Sequence, residues 1–452
     1  MLRKYISTAL LLACSALFLT IMTVSAGATI TGLAGTTFNF SVGTARVSTP
    51  DGGSILVWGY AGNGGPVQYP GPTLIVHQGD VITITLTNNL TVTGAATPPN
   101  VSMVFPGQEV TVAESDPGVT GLLTSEAAPG ATVTYTFTAE HAGTYTYFSG
   151  TDTALQVEMG LTGALIVQPT AGAGQAYNHP DSQFDREYLF LLTEMDPRIH
   201  EEVEFNGPAA LAFVDYLANY RPVVWYINGR NAPDTMSPVG APWLPHQPYN
   251  CVPRIHPGER MLMRVIGGGR DLHPFHHHGS HSRVIARDGR LLESVAGVGA
   301  DLSHEVFTIQ SHPGETVDAL FQWTGKGLNW DMYGGTDVDM PHTCNGKDVG
   351  VAQDPGAPEF DPVTHEYCAD HGKPLPVILP ATPNLAVGGF FSGSPYLGIL
   401  EALPPGEGGL NPNGGYAYMW HSHTEKEMVN YDIFPGGMMT MMIIEAPGVP
   451  IP

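Results

Sequence analysis

The chain has 452 residues, 55 of them glycine and 39 proline, and 42 acidic side chains against 18 lysines and arginines leave a formal net charge of −24. No basic stripe is present to neutralise phosphates, so nucleic acid is not an expected partner. The acidity reads instead as solubility outside the cell, and the length suits two or three domains.

Residues 1–28 form a unit of their own. Arg3 and Lys4 precede an almost wholly apolar run, Ile6 to Val24, which ends in the small residues Ala26-Gly27-Ala28. That is the layout of a secretory signal peptide, so a secreted, periplasmic or cell-surface location is expected and the segment is set apart from the fold. Two alternatives use the same residues. One is a retained membrane anchor, because the run approaches bilayer-spanning length. The other is a lipoprotein cleavage box at "LLAC", residues 11–14. No other apolar run is long enough to span a membrane, so no transmembrane span is expected after signal removal.

Residues 29–170 read as a first β domain. "PTLIVHQGDVITITLTNNL" (72–90) gives a strand, a Gly-Asp turn and an alternating strand; "TVTYTFTAEHAGTYTYFSG" (132–150) gives two more, and "GLTGALIVQP" (160–169) closes the unit. Residues 171–185, rich in Gly, Asp and Asn, read as a linker. A second β domain follows over 186–447. Strands are expected in "REYLFLLTEM" (186–195), "VVWYINGR" (223–230), "PGERMLMRVIGGG" (257–269), "HPGETVDALFQW" (312–323), "GYAYMWHSH" and "GGMMTMMIIEAP". A single short helix is expected within 198–220. Residues 336–416, full of Pro, Gly and Asp, read as a long loop-rich insertion. The fold class is therefore all-β. Outside the leader the cysteines are Cys251, Cys344 and Cys368; Cys344 and Cys368 are the easiest to join, which would leave Cys251 over, and other pairings stay open.

Chemistry concentrates in histidines. "LHPFHHHGSH" (272–281) holds His276 and His278, and "YMWHSHTEKEM" (418–428) holds His421 and His423. Residues two apart on a strand share a face. If the two strands are neighbours, four imidazoles converge, and imidazole is a common ligand for copper and zinc. His273 and His281 flank the site as additional candidate ligands, while His277 faces the other way. The plainer alternative is a set of polar histidines satisfied by backbone groups. Met438, Met439, Met441 and Met442 could suggest a soft Cu(I) site but suit a buried terminal strand better. Asp301, Glu305, Glu425 and Glu427 could assist a hard metal, with solvated surface as their default.

In chain order, "GPTLIVHQGD", "HAGTYTY", "YINGR", "HPFHHHGSH" and the terminal "HSH…GGMM" resemble landmarks of the multicopper oxidases. The resemblance covers most of the chain apart from 336–416. It implies two cupredoxin-like Greek-key β-barrel domains, and copper as the cofactor. In that family four His-x-His pairs, two from the first domain and two from the last, hold a trinuclear copper cluster. The last-domain pairs match His276/His278 and His421/His423, and His273 matches the histidine ligand of the mononuclear (type 1) copper.

The resemblance breaks at other ligand positions. Where the family has its first-domain pairs, this chain reads "VFPG", Val104 to Gly107, and "YFSG", with Phe148 and Gly150 in the ligand places. Ser422 stands where the family keeps the type 1 cysteine, and Glu427 where it keeps a further histidine; Met438 or Met439 matches the axial methionine. The copper nitrite reductases are a related two-domain class, but residues 147–167 lack their first-domain Cys and His. In related two-domain proteins the clusters lie between subunits of a trimer, so the resemblance also implies a homo-oligomer whose neighbour would offer Phe148 and Pro106. The expectation is an exported protein that binds fewer copper ions than the family norm, with zinc as the other candidate and laccase-type oxidation disfavoured. The alternative is a non-enzymatic extracellular or cell-surface scaffold.

Overall fold

The computed structural model describes residues 30–92, 97–114, 119–211, 217–326, 358–369, 416–445 and 449–451, with short strands at 343–344, 347–348 and 393–395. The expected signal peptide lies outside these residues, as does most of the expected insertion. Among the described residues no helix is long and apolar enough to cross a membrane.

Alternation in the sequence becomes alternation in burial. Along Val81–Asn88 the side chains of Ile82, Ile84, Leu86 and Asn88 are buried and the residues between them face outward. Thr132–Thr138 does the same with Val133, Tyr135 and Phe137. The two strands pair antiparallel with Ile82 opposite Phe137, Ile84 opposite Tyr135 and Leu86 opposite Val133, so inward side chains meet in one layer. A five-stranded sheet runs in the order Ser54–Gly62, Thr37–Ser48, Val81–Asn88, Thr132–Thr138, Thr111–Glu114. A four-stranded sheet runs Leu33–Ala34, Leu74–His77, Thr162–Gln168, Gly143–Phe148. Their inner faces share one core that includes Phe38, Trp58, Ile84, Tyr135 and Leu165.

A second pair of sheets draws on residues 186–444. One sheet runs Val224–Ile227, Arg186–Met195, Arg260–Gly267, Thr316–Gln322, Ser282–Arg287, Arg290–Leu291, with His304–Val306 also on Ser282–Arg287. The other runs Arg254–Ile255, Met439–Ile444, Tyr416–Ser422, His273–His277, Thr308–Ser311, with Gly393–Pro395 added at Tyr416–Ser422. Phe190, Phe275, Phe321 and Trp420 pack between them. Parallel neighbours such as Arg186–Met195 with Arg260–Gly267 and Thr37–Ser48 with Val81–Asn88 exclude a simple up-and-down meander, because they need crossover connections. The fold is all-β, as expected.

The two sheet pairs are joined by buried contacts. Val57, Tyr69, Met195 and Tyr226 form a shared apolar cluster. Arg264 donates to Glu187 at 2.8 Å and to the Thr144 hydroxyl at 2.9 Å. The Asn-Gly turn of "YINGR" needs its glycine, because Gly229 has φ +78° and a Cβ there would lie 2.3 Å from the Tyr69 carbonyl oxygen.

The helix expected within 198–220 is found at Pro197–Asn206, started by the Asp196 carboxylate accepting the Arg198 N–H and ended at Gly207. A six-residue helix, Thr153–Glu158, was not expected; it is too short to show a periodicity. Cys251 is free and buried, and Cys368 is disulfide-bonded.

Candidate metal centre

Strand His273–His277 lies between Thr308–Ser311 and Tyr416–Ser422. The register sets His276 opposite His421 on one side and opposite Thr308 on the other. Pleating sends Phe275 and Trp420 to the opposite, apolar side, where their rings pack at 6.3 Å and Phe190 lies 5.2 Å from Phe275. The Trp420 indole N–H also donates to the His278 carbonyl at 2.9 Å. An aromatic floor therefore fixes the two histidine-bearing strands against each other.

On the other face the nitrogens of His276, His278 and His421 lie within 4.8 Å of one another, all three residues buried. His278 Nε2 is 3.2 Å from His421 Nε2. Two nitrogens bound to one tetrahedral ion at 2.0–2.1 Å would be roughly 3.3 Å apart. His421 Nδ1 donates to the Ser422 carbonyl at 2.8 Å, which leaves its Nε2 with a lone pair. His276 Nδ1 is 2.8 Å from the Thr308 hydroxyl, and its buried Nε2 has no hydrogen-bond partner. Buried polar atoms without partners are uncommon in folded proteins, and this one lies in a cluster of three imidazoles. The donor set fits a copper or zinc ion.

Burial, followed by the neighbouring imidazoles of His278, His421 and His423, pushes the pKa of His276 down to about 3. Burial also lowers His421, outweighing its bond to the Ser422 carbonyl. Both are neutral at physiological pH, the state in which imidazole binds metal. The exposed ring of His423 lies edge-on to that of His276, centroids 4.7 Å apart; its backbone N–H donates to the Pro274 carbonyl. His281 packs its ring 5.5 Å from that of Phe307 instead of joining the three. His277 faces the core, bonded to Ser282 at 2.8 Å.

His273 has a different environment. It is fully buried, with Nε2 2.8 Å from Glu194 and Nδ1 2.9 Å from Glu427. Burial alone depresses its pKa, but the bonds to Glu194 and then Glu427 outweigh burial and hold it up at about 9. Glu427 is only 6 % exposed, which corrects the expectation of solvated surface; Asp301, Glu305 and Glu425 are exposed as that expectation had it. Glu194 had no signal in the sequence, because a carboxylate within an apolar strand is recognisable as a partner only once the fold brings His273 to it. Ser422 is fully buried, and its hydroxyl accepts the Thr424 N–H at 3.3 Å. Met438 and Met442 are buried in the core while Met439 and Met441 are half-buried.

In the first sheet pair, Val104 and Phe148 exchange backbone hydrogen bonds, so the segments "VFPG" and "YFSG" lie side by side. Neither the Val104 nor the Phe148 side chain carries a nitrogen, oxygen or sulfur atom. Val104, Phe105 and Phe148 line a cavity of about 650 Å³ with Leu122 and Leu123. Gly150 is enclosed, and a Cβ would sit 2.8 Å from the Val104 side chain.

The family described as multicopper oxidase matches residues 43–172. Laccase-1 of Emericella nidulans is 33% identical over 172 residues, 36% of this chain and 25% of that protein. An L-ascorbate oxidase of Cucumis sativus is 30% identical over 146 residues, 32% of this chain and 22% of that protein. The chain thus spans a quarter or less of the length of these curated relatives. A blue copper oxidase from Nitrosomonas europaea superposes over 91% of this chain and 86% of its own, with 18% identity and a TM-score of 0.52, which is a likeness of fold. Residues 43–172 thus match the multicopper oxidase family, and the partial relatives and the likeness of fold agree with the histidine landmarks.

Proposed function

We propose that this chain is an exported metal-binding protein of the multicopper oxidase family that holds one copper ion, or zinc in its place, through His276, His278 and His421, with His423 as the exposed fourth ligand. The observation that carries the reading is the buried, partnerless Nε2 of His276 within 4.8 Å of two further imidazole nitrogens. Copper bound there would supply Lewis-acid or one-electron chemistry. The chain's own groups prepare the nitrogens. Thr308 and the Ser422 carbonyl hold the Nδ1 atoms of His276 and His421, leaving each Nε2 to face the cluster. Without an ion, the His278–His421 contact is an N–H···N bond whose proton a metal would displace.

Laccase-type oxidation is not part of this proposal. It would need a substrate-side copper, and Ser422 and Glu427 offer a poor ligand set for one, because type 1 copper depends on soft thiolate donation. Phe148 and Gly150 likewise offer no ligand for a trinuclear cluster. Export rests on residues 1–28, and the disulfide at Cys368 suits an oxidising compartment. Two domains, 29–170 and 186–447, remain our division of the chain, since each sheet pair draws its strands from one of these ranges.

The second reading is a non-enzymatic scaffold that binds partners or copies of itself, such as a homotrimer. It is favoured by the exposed apolar side chains of Leu122 (95%) and Leu123 (59%) beside Phe148 and of Phe307 (49%) beside His276. Metal analysis of the purified protein after copper loading and dialysis separates the two. One equivalent, lost in His276→Ala and His421→Ala, supports the metal reading; no retained metal leaves the scaffold reading, with light scattering to count subunits.

A further inference from the structure

The residues around His273 do not fit a metal. Carboxylate oxygens only accept hydrogen bonds, so an imidazole with carboxylates on both nitrogens carries a proton on each and has no lone pair for an ion. Glu194 and Glu427 occupy the two nitrogens of His273 at 2.8 and 2.9 Å. Glu194 comes from strand Arg186–Met195, His273 from strand His273–His277 and Glu427 from the turn Glu425–Met428. Three elements from distant parts of the chain therefore meet on one imidazolium.

The surroundings are arranged for this charge. Two carboxylates against one imidazolium leave an excess negative charge in a buried place, which costs free energy unless dipoles solvate it. The other oxygen of Glu194 accepts the backbone N–H groups of Arg270 and Asp271 and the Tyr220 hydroxyl. The Arg270 guanidinium lies 4.0 Å over the Tyr220 ring. Gly269 leaves the space: a Cβ there would lie 2.0 Å from Glu194 Oε2. Glu427 is tied through its backbone as well, its N–H to Thr424 and its carbonyl to the N–H of Met438.

The geometry points to a metal-free clamp: Glu194, His273 and Glu427 occupy the place of the mononuclear copper, exclude metal from it, and pin the turn Glu425–Met428 to the strand that carries the histidine cluster. The clamp does by ion pairing what an ion would do by coordination. It holds the chain beyond His423 against strand His273–His277, so the His421–His423 segment keeps its position whether or not the cluster is filled.

Three measurements on the full chain test this, each read without metal or with the cluster disabled, so that a failure of the clamp is separate from a failure of metal binding at the cluster. Copper titration of the His276→Ala/His421→Ala variant should give no tightly held equivalent; an equivalent that disappears with His273→Ala would overturn the inference. In metal-free protein, Glu427→Gln should raise amide hydrogen exchange over residues 424–438 at least tenfold, with strand Val81–Asn88 unchanged; unchanged exchange over 424–438 would overturn it. Ser422→Cys is nearly isosteric and keeps the clamp. On the His276→Ala background it should give no copper–thiolate absorption band on copper addition, and an intense band would show that the clamp yields to metal and would overturn the inference.

Discussion

His276 and His421 are direct cross-strand partners, and Thr308 is the partner of His276 on its other side. One register thus places two candidate ligands and the hydroxyl that orients one of them. The Thr308 hydroxyl, 2.8 Å from His276 Nδ1, holds the ring in the orientation that turns Nε2 toward the cluster. Second-layer hydrogen bonds of this kind are worth about 10- to 100-fold in metal affinity. Thr308→Val, which removes the hydroxyl and keeps the shape, is expected to weaken copper binding by about that factor, with little change in thermal midpoint. Competition with a chelator of known affinity measures it, and an unchanged affinity would remove Thr308 from the site.

Strand alternation was legible in the sequence because every second side chain of "VITITLTN" and "TVTYTFT" had to be apolar to close one core. The same rule placed His276 and His278 on one face. The register between strands was not legible, since nothing in "FHHH" or "WHSH" names its partner. For that reason the facing of His276 with His421 awaited the fold. Glu427 was misread for a related cause. A glutamate near the end of a chain is usually solvated, and only the turn at Glu425–Met428 carries it inward to His273.

The clamp predicts a pH dependence on the alkaline side. His273 has a folded-state pKa of about 9, above the ordinary 6.5. A raised pKa contributes stability that is fully present below the unfolded value and is lost as pH rises through the folded one. The groups facing it are Glu194 and Glu427 directly, with Asp271 and Arg270 behind Glu194. Asp271 is itself held above the usual carboxyl range, first by burial and then by Glu194. The contribution is on the order of 3 kcal/mol. Urea midpoints of wild type and His273→Gln should therefore be well separated near neutrality and converge above about pH 9 to 10. A separation that stays constant with pH would contradict an imidazolium at this position.

Gly269 should be intolerant of even one methyl group. Its Cβ would meet Glu194 Oε2 at 2.0 Å, and moving that carboxylate breaks bonds to His273, Asp271 and Tyr220 together. Gly269→Ala is expected to cost about 1 to 3 kcal/mol. The cause is separable from a backbone effect by a double-mutant cycle. In the Glu194→Ala background the added methyl has room, so the cost of Gly269→Ala should largely vanish. Equal costs in both backgrounds would place the strain elsewhere.

Phe148 and Gly150, where the resemblance to the multicopper oxidases expects histidines, differ in how the fold would receive one. Phe148 lies at the wall of the apolar cavity, half-buried, so Phe148→His should fold with a loss of about 1 kcal/mol or less. Gly150 is different: its N–H donates to the Ser102 hydroxyl at 3.0 Å, and a Cβ would press on Val104 at 2.8 Å. Gly150→His is therefore expected to destabilise by about 2 to 3 kcal/mol, and Val104→Ala should recover part of that loss by clearing the contact. Thermal unfolding of the single and combined variants checks the order. If Gly150→His were as mild as Phe148→His, the enclosure around Gly150 would not be what resists a histidine there.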